Sequence, residues 1–242
     1  MAAIHTTSMA STAAIYDLAA HPKYIQPLRD EIQKVIDEDG QDVYGNGFMR
    51  LKKSSISKLW KLDSFLKESQ RFTPAQLGKS SPTQLLKPRL LTIISATNVR
   101  VTTAPLTLST GHTLPTGTRF GIAAYAIQRS PHTPTFSPLH NPTSASPSEF
   151  DGFRFYNLRK IPGNENKHQY VTTGPDSLNF GHGNHACPGR FFASSEIKLV
   201  LIELLREWEF RFLEGKGRPE NVVGDTNCTP DMRAVMEFRK RK

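Results

Sequence analysis

The chain has 242 residues, 37% hydrophobic and 22% charged, which is enough apolar material for a sizeable core and too much for a disordered segment. Its formal charge of +9 is spread along the chain, with Arg239-Lys240-Arg241-Lys242 as the dense basic run, so nucleic-acid binding is not expected, whereas a positive face for an acidic protein partner is. Two cysteines, Cys187 and Cys228, exclude a disulfide scaffold, and the longest largely apolar run, residues 199–205, is far short of the ~20 residues of a bilayer span. The N-terminus shows no basic-then-apolar stretch of a secretory signal.

In chain order, residues 2–20 are rich in Ala, Thr and Ser and predict a helix closed by His21-Pro22. A second helix follows over residues 22–37, with Leu28, Ile32, Val35 and Ile36 at helical spacing, and Asp39-Gly40 breaks it. Residues 57–70 place Leu59, Leu62 and Leu66 on one face of a third. Residues 99–108 and 119–124 read as paired strands joined across Ser109-Thr110-Gly111-His112. A proline-rich meander occupies residues 130–148. Residues 190–207 are then expected to form a strong helix, nearly apolar all round at 199–205 and therefore expected to be buried, and short strands and turns complete the chain. The expected class is mainly α-helical with small antiparallel β-sheets (α+β).

The most informative segment is Phe180-Gly181-His182-Gly183-Asn184-His185-Ala186-Cys187-Pro188-Gly189, followed at once by that strong helix. A glycine-bearing turn lets backbone amides point at a sulfur, and a helix starting just beyond it adds a positive dipole end that favours the thiolate. Gly189 leaves room for a flat macrocycle, and Phe180 can pack beside the sulfur. A structural Cys at a helix start is the plain alternative, and zinc held by His182, His185 and Cys187 is another, although a fourth ligand and a paired spacing are lacking. Glu68 and Arg71, at i and i+3, face each other on the third helix, an arrangement that is usually a weak surface ion pair.

The segment 180–189 resembles the haem-binding loop of the cytochromes P450, matching its Phe, Gly, Cys and Gly positions at Phe180, Gly183, Cys187 and Gly189. It departs from it at His185, where the family usually has an Arg that meets a haem propionate. The resemblance implies that Cys187 is the axial ligand of a haem b iron, a thiolate that favours O–O cleavage. Glu68-Ser69-Gln70-Arg71 is similar to the family's Glu, two residues, Arg motif. Phe150-Asp151-Gly152-Phe153-Arg154-Phe155 is similar to its meander, which implies a buried triad of Glu68, Arg71 and Arg154 behind the haem loop. Ala2-Ala3-Ile4-His5-Thr6-Thr7 resembles the centre of the family's helix I, with Thr6 in the catalytic Thr position and His5 where an acid is common. A Ser/Thr-rich helix whose hydroxyls bond back to the preceding turn is the alternative there.

These four elements occur in family order and cover nearly the whole chain, which makes residues 1–242 similar to the C-terminal portion of the fold. An N-terminal half, with its membrane anchor and its propionate-holding Trp and Arg, is expected outside this chain. The resemblance implies a monooxygenase acting with O2 on a small apolar substrate, lined in part by Ala2, Ala3, residues 97–101 and the turn 224–228. Its electrons would come from NADPH through a cytochrome P450 reductase, on the cytosolic face of the endoplasmic reticulum for a full-length form. The forms of the helix I and loop motifs look most like fungal members that oxidise terpenoid, indole-terpenoid or polyketide intermediates. A truncated remnant without activity is the alternative. Residues 78–95 lengthen a link that is short in the family, and read either as an insertion from a translated intron or as a genuine surface loop.

Overall fold

The computed structural model describes residues 2–40, 42–43, 49–74, 96–137, 145–223 and 228–241, so the segment 78–95 and most of the turn 224–228 lie outside the described residues. Helix α1 (Ala2–Ala20) ends where expected, because Pro22 cannot continue it; the chain turns through a 3-10 segment at Pro22–Tyr24 into α2 (Ile25–Asp39). The apolar stripe of α2 buries Leu28, Ile32, Val35 and Ile36, and Gly40 (φ 72°) stops the helix while its N–H donates to the carbonyl of Ile36 at 2.8 Å. Strands β1 (Asp42–Val43) and β2 (Met49–Arg50) pair antiparallel. The third helix, predicted over residues 57–70, is α4 (Trp60–Phe72); a short α3 (Lys53–Ser57), which the sequence reading did not include, precedes it across a break at Lys58 and Leu59.

The strand prediction over residues 99–108 needs correction. Strand β3 (Ala96–Val101) pairs with β6 (Arg119–Ala123), while β4 (Leu106–Thr107) and β5 (Thr113–Leu114) form a separate inner hairpin closed by the polar turn. Pro105 has no N–H to offer a continuous ladder, and Thr102 folds inward so that its hydroxyl donates to the carbonyl of Pro115 at 2.6 Å. Next come α5 (Ala124–Ile127), a 3-10 turn at Pro134–Phe136 within the meander, and α6 (Arg154–Arg159). Helix α7 (Arg190–Glu207) has the predicted bounds, and β7 (Trp208–Phe212) pairs with β10 (Met236–Lys240) beside the small pair β8 (Val222–Val223) and β9 (Cys228–Thr229).

One core unites α1, α2, α4 and α7 through Leu18, Leu28, Ile32, Leu62, Leu66, Leu201 and Leu205. Helix α7 is not enclosed all round, contrary to the expectation from its sequence. Leu199 and Val200 are 43% and 47% exposed, whereas Lys198 between Ile197 and Leu201 is buried. The 3.6-residue period sets the inward face, and that face carries a charge because a buried carboxylate awaits it. Helix α4 is the unusual element, since every residue from Leu62 to Arg71 is buried, polar ones included.

Candidate functional site

The cysteine loop is held at both ends by backbone bonds. The N–H of Cys187 donates to the carbonyl of Phe180 at 2.7 Å, and that of Ala186 to Gly183 at 3.0 Å across a 3-10 turn at Gly183–His185. Gly181 and Gly183 adopt φ of 74° and 67°, the left-handed region that Cβ-bearing residues resist. On the far side α7 begins at Arg190, whose guanidinium donates to the carbonyl of Cys187 at 2.9 Å. Phe180 is half-buried, with its ring edge-on to that of Tyr170 at 5.2 Å. Cys187 is exposed, as are His185, Gly183 and Gly189, whereas Cys228 is buried.

This donor set suits an iron whose other ligands belong to a macrocycle. Among the described residues no group of three His, Cys, Asp or Glu side chains is placed to share a metal ion, so His182, His185 and Cys187 do not form the zinc cluster that the sequence left open. A haem iron asks the protein for one axial donor and a flat approach. The exposed Cys187 is a fitting donor, and the loop leaves room for such a group: an added Cβ would encounter nothing within 4 Å at Gly183 and would lie 4.0 Å from the sulfur at Gly189.

Glu68, Arg71 and Arg154 come together, and they are buried rather than forming a surface pair. Arg71 grips Glu68 with two bonds of 2.7 and 2.9 Å, and Arg154 Nε reaches the same carboxylate at 3.3 Å. The remaining guanidinium protons go to main-chain carbonyls: from Arg71 to Gln128, Pro147 and Glu149, and from Arg154 to Ala145, Ser146 and Glu149. Asp151 adds its N–H to Glu68 at 2.9 Å. Two fully buried cations thus meet one anion, and the carbonyl dipoles stabilise the surplus positive charge.

A second ionic cluster escaped the sequence reading. Asp63, on the first turn of α4, receives Lys198 of α7 at 2.5 Å and the backbone N–H of Tyr170 at 2.8 Å, with Arg159 of α6 at 3.6 Å. One turn on, Lys67 donates to the carbonyls of Gln169 and Thr172 at 2.8 and 3.2 Å, and burial lowers its pKa to about 8. The available signal was a lysine, Lys198, embedded in an apolar helical run. A cavity of about 40 Å³ beside Lys67, His168 and Asp176 has room for a water molecule and is too small for a substrate.

His5 and Thr6 lie near the start of α1, His5 exposed and Thr6 half-buried. Further along, Ser11 and Thr12 donate back to the carbonyls of Thr7 and Ser8 at 2.9 Å, as hydroxyls on helices commonly do. The other end of α1 is anchored by Asp17. Its carboxylate meets Arg218 and Ser69 at 2.5 Å each, and burial raises its pKa although Arg218 opposes the shift. No helix among the described residues is long and apolar enough to cross a membrane.

Comparison with known proteins agrees with this geometry. The sequence matches the family model described as cytochrome P450 over residues 1–79 and 89–229. It is 46% identical to the cytochrome P450 monooxygenase ascG of Acremonium egyptiacum, across 99% of this chain and 43% of that protein. Identity is 44% to the cytochrome P450 monooxygenase BOA7 of Botryotinia fuckeliana, across 100% of this chain and 41% of the relative. An ent-kaurene oxidase of Gibberella intermedia is 41% identical, across 100% and 39%. The chain therefore spans about two fifths of the length of the curated relatives it matches.

Proposed function

Because the chain belongs to the cytochrome P450 family, we propose that it carries the haem-thiolate half of a monooxygenase that places one oxygen atom of O2 into an apolar organic substrate. The observation that carries this reading is the exposed Cys187, held between Phe180 and the start of α7 and flanked by glycines that clear its approach. Haem b bound there supplies oxygen activation, favoured by electron density from the sulfur.

The chain's own residues do the rest. Cys187 Sγ would be the donor that holds the haem iron, Phe180 would pack beside that sulfur, and His185 on the same loop would offer a hydrogen bond to a propionate. The hydroxyl of Thr6 orients water on the oxygen side, and the imidazole of His5 passes protons to that water. Electrons come from NADPH through a cytochrome P450 reductase, and the full-length form works at the cytosolic face of the endoplasmic reticulum. The likeness to a protein named ent-kaurene oxidase supports a terpenoid-like substrate within fungal secondary metabolism, beside the indole-terpenoid and polyketide classes.

The test is the absorption spectrum of the reduced, carbon-monoxide-bound protein, prepared in its full-length form. A thiolate signature that disappears in Cys187→Ala supports the reading. An unchanged signature in that variant overturns the ligand assignment, and a parent that binds haem but oxidises nothing favours the inactive remnant.

A further inference from the structure

We propose that Asp63 is a positioning residue for Cys187, a buried hub that holds both arms of the cysteine loop; this rests on the reading of Cys187 as the axial ligand. The upstream arm reaches the hub through Tyr170. Its N–H donates to Asp63 Oδ2 at 2.8 Å, its ring supports Phe180 at 5.2 Å, and the carbonyl of Phe180 accepts the N–H of Cys187 at 2.7 Å. The downstream arm is α7, which opens at Arg190 and presents Lys198 to Asp63 Oδ1 at 2.5 Å. Asp63 and Lys198 are each 5% exposed and Tyr170 is 2% exposed, so water does not compete for these bonds.

The hydrogen bonds of the Glu68 triad to Gln128 and to residues 145–151 order the meander. Helix α4 serves two neighbours at once, since Glu68 and Arg71 order the meander while Asp63 and Lys67, at i and i+4, hold the backbone at residues 169–172. A buried ion pair often adds little net stability, because desolvation offsets its Coulomb attraction. Its directional bonds fix a register that apolar contacts leave free to slide. Asp63 therefore fixes where the sulfur sits, and its loss alone also leaves the buried charge of Lys198 uncompensated.

The test uses Asp63→Asn and, should that variant fail to fold, the double variant Asp63→Leu/Lys198→Met, which removes the Asp63–Lys198 pair together and leaves Arg159 its hydrogen bond to the carbonyl of Glu165. Hydrogen–deuterium exchange is followed in peptides covering residues 180–187 and, as an internal reference, residues 25–39 of α2. Exchange at 180–187 should rise in either variant by roughly tenfold more than it rises in α2. In the haem-bound protein the reduced carbon-monoxide spectrum should shift in part from the thiolate to the neutral-thiol form at equal haem content. Exchange at 180–187 equal to the parent's, or rising in step with α2, overturns the proposal. If the parent shows no thiolate spectrum, the haem reading fails, and the exchange measurement still decides whether Asp63 positions the loop.

Discussion

Glu68 on α4 and Arg154 at the start of α6 are 86 residues apart in sequence and 3.3 Å apart in space, both sealed from solvent. Removing one partner from such a set leaves buried charge uncompensated, at a cost of about 3–5 kcal/mol. Arg154→Leu also removes the guanidinium's hydrogen bonds to the carbonyls of Ala145, Ser146 and Glu149. That variant should therefore lose most of its stability to urea. Arg71→Lys should lose a smaller part, because an ammonium cannot reproduce the two-bond grip on Glu68. Equal urea midpoints for parent and Arg154→Leu would contradict this account.

Two glycines should fail for different reasons when replaced by Ala. At Gly152 the new methyl would lie 2.7 Å from the Phe65 ring and 3.2 Å from Tyr24, an overpacking cost of about 1–3 kcal/mol. At Gly183 space is free but φ is 67°, so the cost is conformational, about 1 kcal/mol, and Asn should be tolerated better than Ala. Urea unfolding of the three variants checks this; Gly183→Asn no better than Gly183→Ala would show that backbone strain is not the cause.

His168 makes stability sensitive to mild acid. Burial, reinforced by Lys67, pushes its imidazole from 6.5 down to about 4. The folded pKa lies below the unfolded one, so the stabilising contribution is fully present above pH 6.5 and is lost as the pH falls toward about 4. His168→Asn removes the titration and suits the left-handed backbone at φ 58°. Its urea midpoint should fall less between neutral pH and about pH 5 than the parent's. Parallel curves would remove His168 from the explanation.

Thr6→Ala should leave haem binding intact and divert electrons to peroxide, since the proposed role of its hydroxyl is to order the water that delivers protons. The ratio of product to NADPH consumed measures this in the reconstituted full-length enzyme. A ratio equal to the parent's would assign Thr6 to folding alone.

Residues 78–95 are proposed to be dispensable. The family match pauses between residues 79 and 89, inside this stretch, which supports an insertion relative to the family pattern. Deleting 78–95 should preserve thermal stability and the carbon-monoxide spectrum, and sequencing the mature transcript reports whether the stretch is a retained intron. A deletion variant that no longer binds haem, with the stretch present in the transcript, would make it a working loop.

Local pattern alone determined much of this protein. Pro22 and the composition before it bounded α1, and the period of residues 190–207 bounded α7 to the residue. The spacing of Phe180, Gly183, Cys187 and Gly189 was enough to single out the loop. What tertiary structure alone decided is which charges go inside. Lys198 stands out locally only as a lysine in an apolar helical run, nothing local marks Asp63 and Lys67 for the interior, and Leu199 and Val200 read as core, yet the molecule buries the three charges and exposes the two apolar residues. The reason is that a charge can be buried only where its counter-charge or a set of carbonyls is waiting. For Asp63 those partners, Tyr170 and Lys198, are 107 and 135 residues away, beyond the reach of any local period.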